Sequence, residues 1–216
     1  MAIEAAAGHV VLLGDSIFDN GAYVRGAPDV VKQLDAALPQ GWRASLLAVD
    51  GAVTSDIPAQ LARLPKDATM LVISVGGNDA LGEAHLLSRR CSSVTEAVDL
   101  LASAQEAFAK RYERIVDLVA STDLPAALCT IYDANIPPPE GRLVKAALSL
   151  FNDVISRAAF SRGFPLIDLR LICDDPADYA NPIEPSESGG QKIAAAIAAL
   201  SLRFDANSIW SVVVVS

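Results

Sequence analysis

Five short runs of apolar, β-prone residues recur along the chain: H-V-V-L-L (9–13), A-S-L-L-A-V (44–49), T-M-L-V-I-S-V (69–75), A-A-L-C-T-I-Y (126–132) and P-L-I-D-L (165–169). None shows the in/out alternation of a half-buried strand. A strand that is apolar throughout must be covered on both faces, as a parallel strand is between two layers of helices. Helical patterning fills the stretches between the runs, at about 28–38, 55–64, 93–121, 142–162 and 189–201. Such alternation predicts an α/β fold, a three-layer α/β/α sandwich around a central parallel sheet of about five strands.

The clearest helix carries Val94, Val98, Leu101, Gln105, Phe108, Tyr112, Ile115 and Val119 in steps of four and three. This is one stripe, expected to pack on the sheet. The second long helix is bounded by P-P-P-E-G (137–141) and Gly163. With no internal repeat and no low-complexity linker, residues 1–216 read as one domain. An apolar tail over 203–216 ends in I-W-S-V-V-V-V-S. It can add an edge strand, dock in a groove or pair with another subunit, so a homo-oligomer stays open.

Charge narrows the partners. Lys and Arg number 17 against 26 Asp and Glu, a net charge of −9, so phosphate backbones and anionic lipid surfaces are repelled. Neither nucleic acid nor a membrane is expected as a partner. No run of 18 apolar residues is present, and no basic region precedes an apolar stretch at the N-terminus. Cys91, Cys129 and Cys173 are widely spaced with no C-x-x-C. They read as buried thiols in a reducing cytoplasm, the expected location.

In an open parallel sheet, ligands bind outside the carboxyl ends of the strands. The polar residues there are G-D-S-I-F-D-N (14–20), V-D-G-A-V-T-S-D (49–56), G-G-N-D (76–79), D-A-N (133–135) and D-Y-A-N-P-I-E-P-S-E-S-G-G (178–190). Each alone reads as a turn or cap, since Ser caps helices, Gly-Gly makes turns and Asn tolerates left-handed backbone. Three at successive strand ends read as a site. They offer an exposed Ser hydroxyl, a backbone N–H at a Gly-permitted turn and an Asn amide, the parts needed to stabilise an oxyanion.

These blocks resemble those of the SGNH (GDSL) hydrolase family. G-D-S-I-F-D-N matches its first block, Gly51 its second and G-G-N-D its third. N-P-I-E-P-S-E-S-G-G-Q-K-I-A (181–194) aligns with the last, usually D-x-x-H-P-S-x-x-G-x-x-x-I-A. The resemblance implies a flavodoxin-like sandwich and ester hydrolysis through an acyl-serine without a cofactor. Ser16 is then the nucleophile, and the Ser16 N–H, the Gly51 N–H and the Asn78 side chain form the oxyanion hole.

The last block departs from the family: Glu184 stands where the catalytic His is expected, and Asn181 where its orienting Asp is expected. An ordinary Glu is ionised at neutral pH, so it serves as a base but is a poor acid. Burial that raises its pKa toward 6–7 suits both roles. Asn181 can then hold the carboxylate without adding charge. The expectation is a Ser16–Glu184 dyad of modest power, acting on small or short-chain acyl esters. The alternative is an SGNH-fold binding or regulatory protein with little turnover. His85 is a second candidate base and His9 reads as structural. Asp15, Asp19, Asp50, Asp79 and Glu184 would have to converge for a metal-assisted hydrolase. They read instead as loop-shaping residues, and no metal is expected.

Overall fold

The computed structural model describes residues 7–202 and 213–214. The five apolar runs become β1 (His9–Gly14), β2 (Arg43–Leu46), β3 (Met70–Ser74), β4 (Ala126–Cys129) and β5 (Leu166–Ile167). They pair in the order β2-β1-β3-β4-β5, all in parallel. This is the flavodoxin-like order. The helices are α1 (Val30–Ala37), α2 (Ile57–Leu61), α3 (Gly77–Gly82), α4 (Val94–Ala120), α5 (Glu140–Ser161), α6 (Leu169–Ile172) and α7 (Glu187–Ser201).

The continuous apolar runs have the cause expected of them. On β1, Val10 and Leu12 pack with Val30 and Leu34 of α1 and Ile193 and Ile197 of α7. Val11 and Leu13, one residue out of phase, pack with Phe108 and Tyr112 of α4 and Phe151 and Ile155 of α5. Successive side chains point to opposite faces of a strand, so both faces need apolar residues when helices cover both. Helices α1 and α4 start at side-chain caps: Asp29 accepts from the Lys32 N–H at 2.9 Å, and Ser93 from the Glu96 N–H at 3.1 Å.

The long stripe on α4 packs on the sheet over only part of its length. Phe108, Tyr112, Ile115 and Val119 are buried, whereas Val94 and Val98 are 80% and 57% exposed. A 27-residue helix is about 40 Å long, while a five-residue strand spans about 17 Å. The first turns of α4 therefore project past the carboxyl edge of the sheet. An antiparallel hairpin unanticipated by the sequence, β6 (Tyr179–Asn181) and β7 (Glu184–Pro185), leads into α7. Val213–Val214 form β8, which pairs in parallel with β5 at the sheet edge. The remainder of the 203–216 tail lies outside the described residues.

Candidate active site

The first block is shaped by a close approach at the end of β1. Gly14 has φ +130°, and a Cβ there would sit 1.7 Å from the Ser74 carbonyl oxygen. Only glycine fits. Gln60 of α2 clamps this peptide, donating to the Gly14 carbonyl at 2.8 Å and accepting from the Gly14 N–H at 2.8 Å. The chain then turns sharply, with the Phe18 and Asp19 N–H groups both donating to the Asp15 carbonyl at 3.1 Å. Ser16 sits on that turn, and its hydroxyl donates to Glu184 Oε1 at 3.1 Å.

Glu184 is delivered by the β6–β7 hairpin and held from three sides through its neighbours. Tyr132 donates its hydroxyl to the Ile183 carbonyl at 2.5 Å. Asn20, fully buried, donates to the Pro185 carbonyl at 3.3 Å and accepts from the Val30 N–H at 2.9 Å. Ser186 caps α7 by accepting from the Gly189 N–H at 3.2 Å. Burial pushes the Glu184 carboxyl above its ordinary pKa, the Ser16 hydroxyl opposes this, and the Asp50 charge adds to it. Among the described residues, Glu184 Oε2 is buried with no hydrogen-bond partner.

Asn181 does not hold that carboxylate. Its Oδ1 accepts from the Ile183 N–H at 2.9 Å, a local turn of the hairpin that occupies the side chain's acceptor. Its backbone is paired with Glu184 across the two strands. Positioning of Glu184 therefore falls to Tyr132, Asn20 and the α7 cap.

The other two candidate donors follow β2 and β3. Gly51 has φ +79° in the turn closed by the Ala52 N–H on the Val49 carbonyl at 3.0 Å, a backbone conformation that favours glycine. Asn78, on α3, gives one amide hydrogen to the Ala52 carbonyl at 3.0 Å, which leaves the other free. Asp79 lashes the two blocks together, accepting from the Thr54 N–H at 2.9 Å and the Thr54 hydroxyl at 2.7 Å. Arg111 Nε lies 3.4 Å from the same carboxylate. Among the described residues, no hydrogen bond engages the Ser16 or Gly51 N–H.

The carboxylates gathered here shape loops. Asp15 accepts from the Ile17 N–H at 3.1 Å, Asp19 from the Asp50 N–H at 3.0 Å and Asp50 from the Tyr23 hydroxyl at 2.8 Å. Burial raises the Asp15 pKa to about 7; the Ile17 N–H opposes the rise, and the charges of Glu184 and Asp79 reinforce it. His85 is exposed, with its Nδ1 3.2 Å from the Gly82 carbonyl. His9 is buried at the far end of β1 beside Ser45. Asn20, Gln60, Thr54 and Tyr132 were not read from the sequence as site residues. Asn20 and Thr54 lie inside the strand-end blocks at 14–20 and 49–56, where position was a usable signal; Gln60 and Tyr132 carry none.

Beside Ser16 a cavity of about 540 Å³ opens between α3, the turn at Ala84–Ser88, α4, the loop after β4 and α5. Asp15, Ser16, Asn78 and Glu184 are among the residues that line it.

A serine bonded to a buried carboxylate, at the carboxyl end of a 2-1-3-4-5 parallel sheet and lining one cavity with an asparagine amide, places the chain among α/β/α hydrolases. Within that class the chain belongs to the GDSL-like lipase/acylhydrolase family, whose model matches residues 12–192. Solved structures share the fold. An α/β hydrolase enzyme from the metagenome of Lake Arreo, Spain, is 23% identical, with TM-score 0.67 over 93% of this chain and 98% of its own. An extracellular lipase from Streptomyces rimosus is 20% identical, with TM-score 0.66 over 90% and 99%. An acetyl xylan esterase is 17% identical, with TM-score 0.65 over 91% and 100%. No curated protein matches the chain.

Proposed function

We propose that the protein is a serine esterase, cleaving small or short-chain acyl esters through an acyl-Ser16 intermediate with Glu184 as base. The Ser16 hydroxyl donating to Glu184 Oε1 at 3.1 Å carries this reading. Ser16 Oγ attacks the ester carbonyl carbon as its proton passes to Glu184. The carbonyl oxygen gains the negative charge and is met by the Ser16 N–H, the Gly51 N–H and the free amide hydrogen of Asn78. Collapse breaks the bond to the alcohol, which leaves with the proton from Glu184. Water then gives a proton to Glu184, attacks the acyl carbon and releases the acid, and Ser16 recovers its hydrogen.

The upward shift of the Glu184 pKa supports the return half of this proton traffic, since a carboxyl raised above its ordinary value gives a proton back to the leaving group more readily than an ordinary glutamate. One observation favours a weak catalyst or a binding protein instead: no side chain orients Glu184 through Oε2. The deciding experiment is the pH–rate profile of p-nitrophenyl acetate hydrolysis by wild type and Ser16→Ala, with fluorophosphonate labelling of both. The esterase reading expects a Ser16-dependent rate and a labelled Ser16. Equal rates at every pH, with no labelling, would establish the binding protein.

A further inference from the structure

At the opposite end of the sheet from Ser16, three side chains that the reaction above does not use stand together. His9 opens β1, whose six residues span about 20 Å, and it is 2% exposed. Its Nε2 lies 2.7 Å from Ser45 Oγ, and its Nδ1 lies 3.3 Å from Asp67 Oδ1. The parallel register sets the first contact. Ser45 of β2 pairs with Val11, and His9, two residues before Val11, shares its face of the sheet. The second comes from the turn before β3, where Arg43 of β2 holds Asp67 Oδ2 at 2.6 Å.

Charge fixes the roles of the two ring nitrogens. A carboxylate can only accept, so the hydrogen of a neutral His9 belongs on Nδ1, facing Asp67. Nε2 is then a bare acceptor, and the Ser45 hydroxyl donates to it. The Nδ1 contact lacks the alignment of a hydrogen bond, as catalytic contacts often do before a substrate is bound. Ser45 is half-buried on a strand at the edge of the sheet. Along β2 the N–H groups of Arg43 and Leu47 donate to the β1 side, so those of Ala44 and Leu46 face the open edge. Asp35 takes the Ala44 N–H at 2.8 Å. Among the described residues, no side chain takes that of Leu46, the residue after Ser45.

The geometry points to Ser45 as a second activated serine, with His9 as its base and Asp67 orienting His9, that takes small acyl groups from aryl esters. Nucleophile, base and orienting carboxylate are recognised by geometry and role, whatever their order in the chain. Ser45 Oγ attacks the ester carbonyl carbon while its proton passes to His9 Nε2, and the Leu46 N–H is available to the oxygen that gains the charge. The bond to the phenol then breaks, the phenol leaves with that proton, and the acyl group stays on Ser45. None of the three residues lines the cavity beside Ser16, and a half-buried serine suits acetyl better than a long or branched acyl group.

Ser16→Ala isolates this site. A fluorophosphonate labels an activated serine, the Oγ–P bond forming as the P–F bond breaks and fluoride leaves. Peptide mapping of labelled Ser16→Ala is expected to place the label on Ser45, on the order of tenfold faster than on any other serine. Adding Ser45→Ala is expected to abolish that label together with the remaining release of p-nitrophenolate from p-nitrophenyl acetate. The Asp67 side chain is 64% exposed, so its replacement spares the core. In the Ser16→Ala background, Asp67→Asn is expected to slow labelling of Ser45 about tenfold or more, and Asp67→Glu to restore it. A label absent from Ser45, or spread evenly over exposed serines, overturns the proposal and leaves the His9–Ser45 bond as packing alone. Equal labelling rates with Asp67 and with Asp67→Asn overturn it too. If a variant fails to fold, the same map of wild type reads Ser45 directly. Ser16 and Ser45 fall on separate tryptic peptides, so this proposal and the esterase reading of Ser16 stand or fall independently.

Discussion

Ser16 Oγ and Glu184 Oε1, 168 residues apart in sequence, stand 3.1 Å from one another. The first rides the turn after β1 and the second the short hairpin before α7. The partner oxygen of that carboxylate, Oε2, is buried and unbonded. Among the described residues the pair is therefore a two-membered arrangement, with a carboxylate whose backbone neighbours are held by Tyr132 and Asn20.

Replacing the base tests the dyad directly. Glu184→Gln keeps the shape and removes proton acceptance, and kcat/KM for p-nitrophenyl acetate is expected to fall by roughly 10²–10⁴. In wild type, kcat/KM is expected to rise with pH as Glu184 loses its proton. The midpoint should lie above the ordinary glutamate value of about 4.3, because burial raises this group. Steady-state profiles of the two proteins check both; an unchanged limb in Glu184→Gln would remove Glu184 from the reaction.

The oxyanion donors give a second, graded expectation. Asn78→Ala is expected to cost roughly 10²–10³ in kcat with little change in KM, the usual loss for one such donor. Thr54→Val breaks one of the two bonds from Thr54 to Asp79. As a positioning change it is expected to lower kcat by less, and Thr54→Ser to restore it. Equal losses in Thr54→Val and Thr54→Ser would mean that the hydroxyl bond is not what matters.

Asp15 makes stability depend on pH in a stated direction. Its pKa is raised to about 7 by burial. From about pH 4 to pH 7 the folded chain keeps a proton that the unfolded chain has released. Stability from this group is therefore full below about pH 4 and declines by roughly 1.4 kcal/mol per pH unit across that window. Asp15→Asn has no such proton, so its stability relative to wild type is expected to improve from pH 4.5 to pH 7.5. Urea unfolding at several pH values measures it, and a gap independent of pH would contradict the burial effect.

Gln60 offers a structural test away from the reacting atoms. Gln60→Ala leaves the buried Gly14 N–H without its partner, while the Gly14 carbonyl loses the Gln60 amide but keeps the Val49 N–H at 3.1 Å. With one group left unsatisfied, it is expected to cost about 1–3 kcal/mol, read as a lowered urea midpoint. A midpoint within error of wild type would mean water replaces the clamp.

Much of the framework was legible because parallel strands covered on both faces leave an unbroken apolar record. The runs at 9–13 and 69–75 fall on β1 and β3, and the patterned stretches fall on α1, α2, α4, α5 and α7. Val94 and Val98 follow the stripe of α4 yet face solvent, since periodicity records which face is apolar and not how far the sheet beneath extends. The hairpin at 179–185 left no trace, because strands of two and three residues are too short for a period to register.

Local chemistry in the sequence determined the order of strands and helices, the glycine that Gly14 has to be, and the presence of Ser16, Gly51, Asn78 and Glu184 in blocks that match a hydrolase family. Only the tertiary structure decided what those residues touch. It turned Asn181 toward its own hairpin, gave the support of Glu184 to Tyr132 and Asn20, left Oε2 unbonded, and hollowed an apolar cavity between α4 and α5. Hydrogen-bond partners and cavities arise from side chains far apart in sequence, set at distances of a few ångströms by packing, and a linear pattern carries no record of those distances.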